Sequence, residues 1–134
     1  LVANNFIPII NENDTVATDE IKFGDNDKLA GLTASLLSAD ILIIATNTDG
    51  IYTKSSLSTS KPKTIESVSD LSILLKEIGE SKSTHGTGGM QSKIDAATIA
   101  QKAGIETWIT NGLKDHFITD AIDNKSIFTK IKAS

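Results

Sequence analysis

Apolar positions along the chain fall into short unbroken runs and helically spaced sets, and the alternation of the two predicts the elements. Phe6 to Ile10 is a short β-rich run containing Pro8, and the polar cluster Asn11-Glu12-Asn13-Asp14 follows it. That pattern predicts a strand ending in a loop. From Asp25 to Ser38 the residues Leu29, Leu32, Leu36 and Leu37 share one helical face. They predict a helix with that face inward, capped by Asp25, Asn26 or Asp27. Ile41 to Ala45 is an aliphatic run of strand length, as expected of a strand covered on both faces. Lys54 to Lys63 is rich in Ser, Thr and Lys and reads as an exposed loop. Asp70 begins a second helix, with Leu71, Leu74, Leu75 and Ile78 inward and Gly79 as its stop. The glycine-rich segment Gly86-Thr87-Gly88-Gly89 then precedes an Ala-rich helix from Met90 to Ala103, ended by Gly104. Ile105 to Thr110 makes another strand, with Trp108 in the core. Ser126 to Ile131 is the last, with Ile127, Thr129 and Ile131 alternating against Phe128 and Lys130. Strands alternating with helices, with no internal repeat, predict one α/β fold with a largely parallel sheet.

Composition narrows the function classes. The length of 134 residues is that of one ordinary domain, and with only 4% aromatic residues its core must be built from Ile, Leu, Val and Ala. A net charge of −4 argues against a nucleic-acid-coating or anionic-membrane role, since no global excess of Lys and Arg is available to neutralise phosphate. The absence of Cys excludes disulfide scaffolds, thiolate metal sites and Cys nucleophiles, and fits a reducing compartment. No apolar run approaches the roughly 20 residues of a membrane helix, and Leu1-Val2-Ala3-Asn4-Asn5 is no signal peptide. A soluble, cytoplasmic protein is expected. The start at Leu1, almost directly on an apolar strand, leads to the expectation that part of a longer chain precedes it.

Three segments carry candidate chemistry. In Gly86-Thr87-Gly88-Gly89-Met90-Gln91-Ser92-Lys93, glycines ahead of a helix let the backbone approach an anion, and Lys93 adds a point charge for a phosphate. It is no Walker A loop, because no Gly precedes Lys93 and Ile94 follows it; a flexible loop between two helices is the alternative. Asn11-Glu12-Asn13-Asp14-Thr15 and Gly24-Asp25-Asn26-Asp27 lie after a strand and at a helix start. Together they can grip a zwitterionic small molecule, although caps and Asx-turns use the same residues. Thr46-Asn47-Thr48-Asp49-Gly50-Ile51-Tyr52 follows the aliphatic strand and suits either nucleotide contact beyond a strand end or a simple turn. His85 and His116 lack the spacing of a metal site, so no metal-ligating residue is assigned. No Gly-x-Ser-x-Gly elbow supports a hydrolase triad.

Taken in order, Ile7-Pro8-Ile9-Ile10-Asn11-Glu12-Asn13-Asp14, Phe23-Gly24-Asp25-Asn26-Asp27, Asp49-Gly50-Ile51-Tyr52-Thr53 and Gly86-Thr87-Gly88-Gly89-Met90 with Lys93 resemble the glutamate 5-kinases of the amino acid kinase family. The likeness runs from about Ile7 to the C-terminus. It implies a three-layer αβα sandwich with a largely parallel central sheet, of which residues 1–134 are the C-terminal, nucleotide-binding half, with no RNA-binding-like module after it. The implied reaction is phosphorylation of the glutamate γ-carboxylate by ATP with Mg²⁺, the first step of proline biosynthesis. Asn11, Asp14, Asp25 and Asn26 match positions that hold glutamate, and Asp27 matches the carboxylate that organises the catalytic lysines. Thr46 and Asn47 match nucleotide contacts, although the family usually has Asp where Asn47 stands. Thr87, Gly88, Gly89, Met90, Gln91, Ser92 and Lys93 match the loop that closes over the ATP phosphates, with Lys93 facing the transferred group. A carboxylate is already ionised at neutral pH, so the acceptor needs no general base; alignment and charge neutralisation carry the catalysis. The family's N-terminal half supplies a first strand, a Gly-Ser phosphate loop, an early Lys and a glutamate-contacting Ser, so the segment alone is expected to be inactive. Proline as feedback inhibitor and a homo-oligomeric state are further implications. The alternatives are a relative acting on acetylglutamate, aspartate, carbamate or a nucleotide, and a non-catalytic ligand-binding module of the same fold.

Overall fold

In the computed structural model, which describes residues 1–11, 25–78 and 89–133, helices α1 (Asp25–Leu37), α2 (Leu71–Ile78), α3 (Gly89–Lys102) and α4 (Phe117–Ile122) accompany four strands. The strands are β1 (Ile41–Thr46), β2 (Ser67–Val68), β3 (Glu106–Asn111) and β4 (Thr129–Ile131). They form one sheet in the order β1-β3-β4-β2. β1 runs parallel to β3, with Ile43 opposite Trp108 and Thr46 opposite Asn111. β2 runs parallel to β4, and β4 returns antiparallel to β3. Leu42 and Ile44 of β1, Ile109 of β3 and Ile131 of β4 bury one face against Ala34 of α1, Leu74 of α2 and Ile94, Ala97 and Ala100 of α3. A smaller cluster of Trp108, Phe128 and Ala121 of α4 covers the other face, with Ile43 packed against it. The result is a three-layer α/β arrangement, thick on one side and thin on the other.

Several expectations need correction. Phe6 to Ile10 is not a strand: it is irregular, and Phe6, Ile7, Ile9 and Ile10 are all exposed, Ile9 at 95%. A strand needs a ladder partner, and none of the described strands pairs with this segment. The inward face of α1 is not the leucine row either. Leu32, Leu36 and Leu37 are exposed, Leu36 at 85%, while Ala30, Gly31 and Ala34 face the core. The reason is close helix approach: a Cβ on Gly31 would lie 2.9 Å from the Ala96 carbonyl oxygen of α3. Small residues set that spacing, and leucines would hold the helices apart. In α2, Leu74 is fully buried, with Leu71 and Ile78 packed beside it, but Leu75 points outward. β1 is fully covered on one face only, since Ile41 and Ala45 are exposed. The loop at 54–63 contains a 3₁₀ turn at Lys54–Ser56 and is closed by the antiparallel bridge between Tyr52 and Thr64. Only Thr129–Ile131 of the expected last strand is a strand.

Local chemistry explains the ends of the elements. Asp70 caps α2, its Oδ1 accepting from the Ser72 N–H at 2.9 Å and the Ser72 hydroxyl at 2.7 Å. Gly104 closes α3 at φ 74, the left-handed conformation that suits glycine. Gly50, at φ 120, is pressed against β4; a Cβ there would fall 2.5 Å from Thr129 Oγ1. That same Oγ1 accepts the Ile51 N–H at 2.8 Å, which ties the segment after β1 to the far side of the sheet.

Candidate functional site

Topology brings Asp27, Thr46, Asn47 and Lys93 to one edge. α1 is joined to β1, and α3 to β3, by only three residues each, so both helices must run opposite to the strands that follow them. Their N-termini therefore lie at the level of the carboxyl ends of β1 and β3, where ligands bind in open α/β sheets. Both positive helix ends point to the same edge.

There α1 and α3 exchange a charge pair. Lys93 Nζ donates to Asp27 Oδ2 at 2.9 Å, with the two side chains only 15% and 21% exposed. The Ser92 hydroxyl reaches the same Oδ2 at 2.7 Å and the Gly89 carbonyl at 2.9 Å; with one hydrogen, it serves one of the two at a time. A lysine one turn into a helix opposes the helix dipole, and Asp27 offsets that repulsion. Among the described residues, a Cβ on Gly89 at the start of α3 would meet nothing within 4 Å. An anion entering there finds an ammonium group and the free N–H groups of the first turn of α3. A part-buried lysine at a helix N-terminus fits the phosphates of a nucleotide. Among the described residues no group of three or more His, Cys, Asp or Glu could hold a metal ion.

The strand ends add a second cluster. Thr46 closes β1, and its carbonyl accepts the Gly112 N–H at 2.8 Å; Asn47 is exposed beside it. Asp49 Oδ1 accepts from Asn111 Nδ2 at 3.0 Å and from Lys114 Nζ at 2.9 Å, and the Asp49 N–H donates to the Tyr52 hydroxyl at 3.1 Å. The Asn111 amide and the Lys114 ammonium hold the Asp49 carboxyl below the usual carboxylate range, against the opposing effect of partial burial. Sequence reasoning missed Asn111 and Lys114. The available signal was the Asn111-Gly112 turn pair directly after a predicted strand.

Asn11 and Asn26 are brought together at a cavity of about 460 Å³ over α1. Its other walls are mostly apolar, among them Pro8, Ile10, Leu29, Leu37 and Leu42, with Thr33 as a further polar residue. Met90 packs against the core and Gln91 bonds Asp95 at 2.9 Å, so neither side chain is turned toward Asp27 as Ser92 is. Asp14, Thr87 and Gly88 lie outside the described residues. So does the Asp25 side chain, although its backbone opens α1.

Fold and site together define an α/β protein of the open-sheet class, with a charged pair where two helix N-termini meet beyond the strand ends. The amino acid kinase family profile matches residues 1–111. The chain belongs to the amino acid kinase family. A glutamate 5-kinase of Proteus mirabilis (strain HI4320) is 46% identical over 130 residues, covering 96% of this chain and 35% of the relative. One from Thermoanaerobacter sp. (strain X514) is 48% identical over 124 residues, covering 92% and 33%. The chain thus spans about a third of the length of the curated relatives it matches. Among solved structures, carbamate kinase from Giardia lamblia bound to AMP-PNP superposes with a TM-score of 0.58 at 26% identity, over 81% of this chain and 35% of that one. UMP kinase from Ureaplasma parvum gives 0.58 at 18% identity, over 79% and 41%, a likeness of fold.

Proposed function

We propose that residues 1–134 are the C-terminal, nucleotide-binding half of a single amino acid kinase domain, and that the complete domain transfers the γ-phosphoryl group of ATP to the γ-carboxylate of L-glutamate. The observation that carries this reading is the Asp27–Lys93 pair at 2.9 Å, in the first turns of α1 and α3. The identity to glutamate 5-kinases, 43% to 48% among the relatives compared, supports glutamate as acceptor. The AMP-PNP of the carbamate kinase neighbour supports a nucleotide as donor.

In this reading Asp27 holds the Lys93 ammonium in place until a phosphate competes for it. Lys93 then lies against the transferring group and offsets its developing charge. The Ser92 hydroxyl keeps Asp27 Oδ2 hydrogen-bonded while Lys93 turns to the phosphate. Gly88, Gly89 and Thr87 close the backbone over the phosphates, and Thr46 and Asn47 meet the nucleoside side. Asn11, Asp14, Asp25 and Asn26 hold the amino acid. Bound Mg²⁺ supplies charge neutralisation on the ATP phosphates. The product is an acyl phosphate, placed at the first step of proline biosynthesis, with proline as feedback inhibitor, a homo-oligomeric assembly and a cytoplasmic location. Among the described residues no helix is long and apolar enough to cross a membrane.

Acceptor competition on the full-length protein tests this. With ATP held constant, free glutamate should be the preferred acceptor over acetylglutamate, aspartate, carbamate and UMP. Preference for any of the others overturns the substrate assignment, and no transfer to any acceptor leaves only a ligand-binding module.

A further inference from the structure

The turn after β1 is held by a loop 62 residues further along the chain, and nothing in the strand ladder requires it. The β1–β3 register already fixes Thr46 opposite Asn111, above a core of Leu42, Ile44 and Ile109. Beyond the last pair, Asp49 Oδ1 still receives two donors, Asn111 Nδ2 at 3.0 Å and Lys114 Nζ at 2.9 Å. Asn111 is itself pinned, its Oδ1 accepting the Leu113 N–H at 3.0 Å. The Thr48 hydroxyl closes the turn on the Gly50 carbonyl at 2.6 Å. The bracket thus fixes a segment whose exposed member, Asn47, faces outward at the ligand-binding edge.

Charge gives the bracket a second effect. A bare carboxylate at that edge would repel a polyphosphate, and Lys114 cancels it locally. We infer that Asn111 and Lys114 are positioning residues for the nucleotide: Asn111 fixes the shape of the Thr46–Gly50 turn, and Lys114 neutralises Asp49 so that the turn accepts an anionic ligand. This rests on the proposed nucleotide-binding function and assigns roles to two residues outside it.

Calorimetric titration of the full-length protein without glutamate, using ATP and adenosine separately, tests both roles. Lys114→Met should weaken ATP about threefold, the size of an exposed charge pair, and leave adenosine nearly unchanged. Lys114→Arg should restore ATP affinity. Asn111→Leu should weaken both ligands about tenfold, the loss of a hydrogen bond to a charged group, with KM for glutamate unaltered. Unchanged ATP affinity in Lys114→Met, or equal losses for ATP and adenosine there, overturns the charge role even if Asn111→Leu fails to fold. Unchanged affinity in a folded Asn111→Leu protein overturns the shape role. Failure of the unsubstituted protein to bind ATP overturns the proposed function itself, and the inference with it.

Discussion

Asp27 Oδ2 is shared by an ammonium at 2.9 Å and a hydroxyl at 2.7 Å, and that sharing is what makes the pair useful. A part-buried lysine held by Asp27 is preorganised, and the Ser92 hydroxyl stays on the same oxygen when the ammonium turns to a competing phosphate. Asp49 is the second residue whose environment sets its behaviour. Its carboxyl is held low by Asn111 and then by Lys114. A depressed carboxylate contributes stability that is present above its unfolded pKa, about 3.9, and that is lost as pH falls through the lower folded value. Asp70 shifts in the same direction through its bonds with Ser72 and is retained in an Asp49 variant. The urea midpoint should therefore fall less between neutral pH and pH 3 in Asp49→Asn than in the parent. An identical acid loss in both proteins contradicts the role given to Asp49.

At the scale of the elements, the leucine count of α1 misleads and its small residues inform. Periodicity weighs side chains by their hydrophobicity, but α1 meets α3 where backbones approach, with Gly31 against the Ala96 carbonyl and Ala96, Ala97 and Ala100 fully buried. Gly31→Val should overpack this contact and cost about 1–3 kcal/mol, read as a fall in Tm. Leu36→Ser, at an exposed position, should stay within about 0.5 kcal/mol. The reverse order of the two variants would restore the leucine face as the buried one. α3 and β3 were legible because their patterns agree with their surroundings: alanines facing the core in one, a continuously buried strand in the other. α4, six residues long, has too little periodicity to announce itself. Phe6 to Ile10 has strand composition without a described strand to pair with, and pairing is not encoded in the segment alone.

For the whole molecule, the class of fold follows from the order of elements, whereas the site follows from which loops the sheet brings together. Asp27 and Lys93 are 66 residues apart, and their convergence depends on α1 and α3 both running back from their strands. The motifs made each a candidate; only topology makes them a pair. Asn111 and Lys114 carried no ligand-binding motif: Asn111-Gly112 reads only as a turn, and both side chains bond Asp49. The central claim is that this pair serves phosphoryl transfer rather than helix packing. It is tested most directly by the rate at which full-length protein carrying Lys93→Met forms glutamyl hydroxamate from ATP, glutamate and hydroxylamine. In phosphoryl transfer, kcat should fall about a hundredfold or more with helix content unchanged by circular dichroism. A folded variant that keeps kcat within about twofold, a free-energy difference too small for a group facing the transferred phosphoryl, would contradict it.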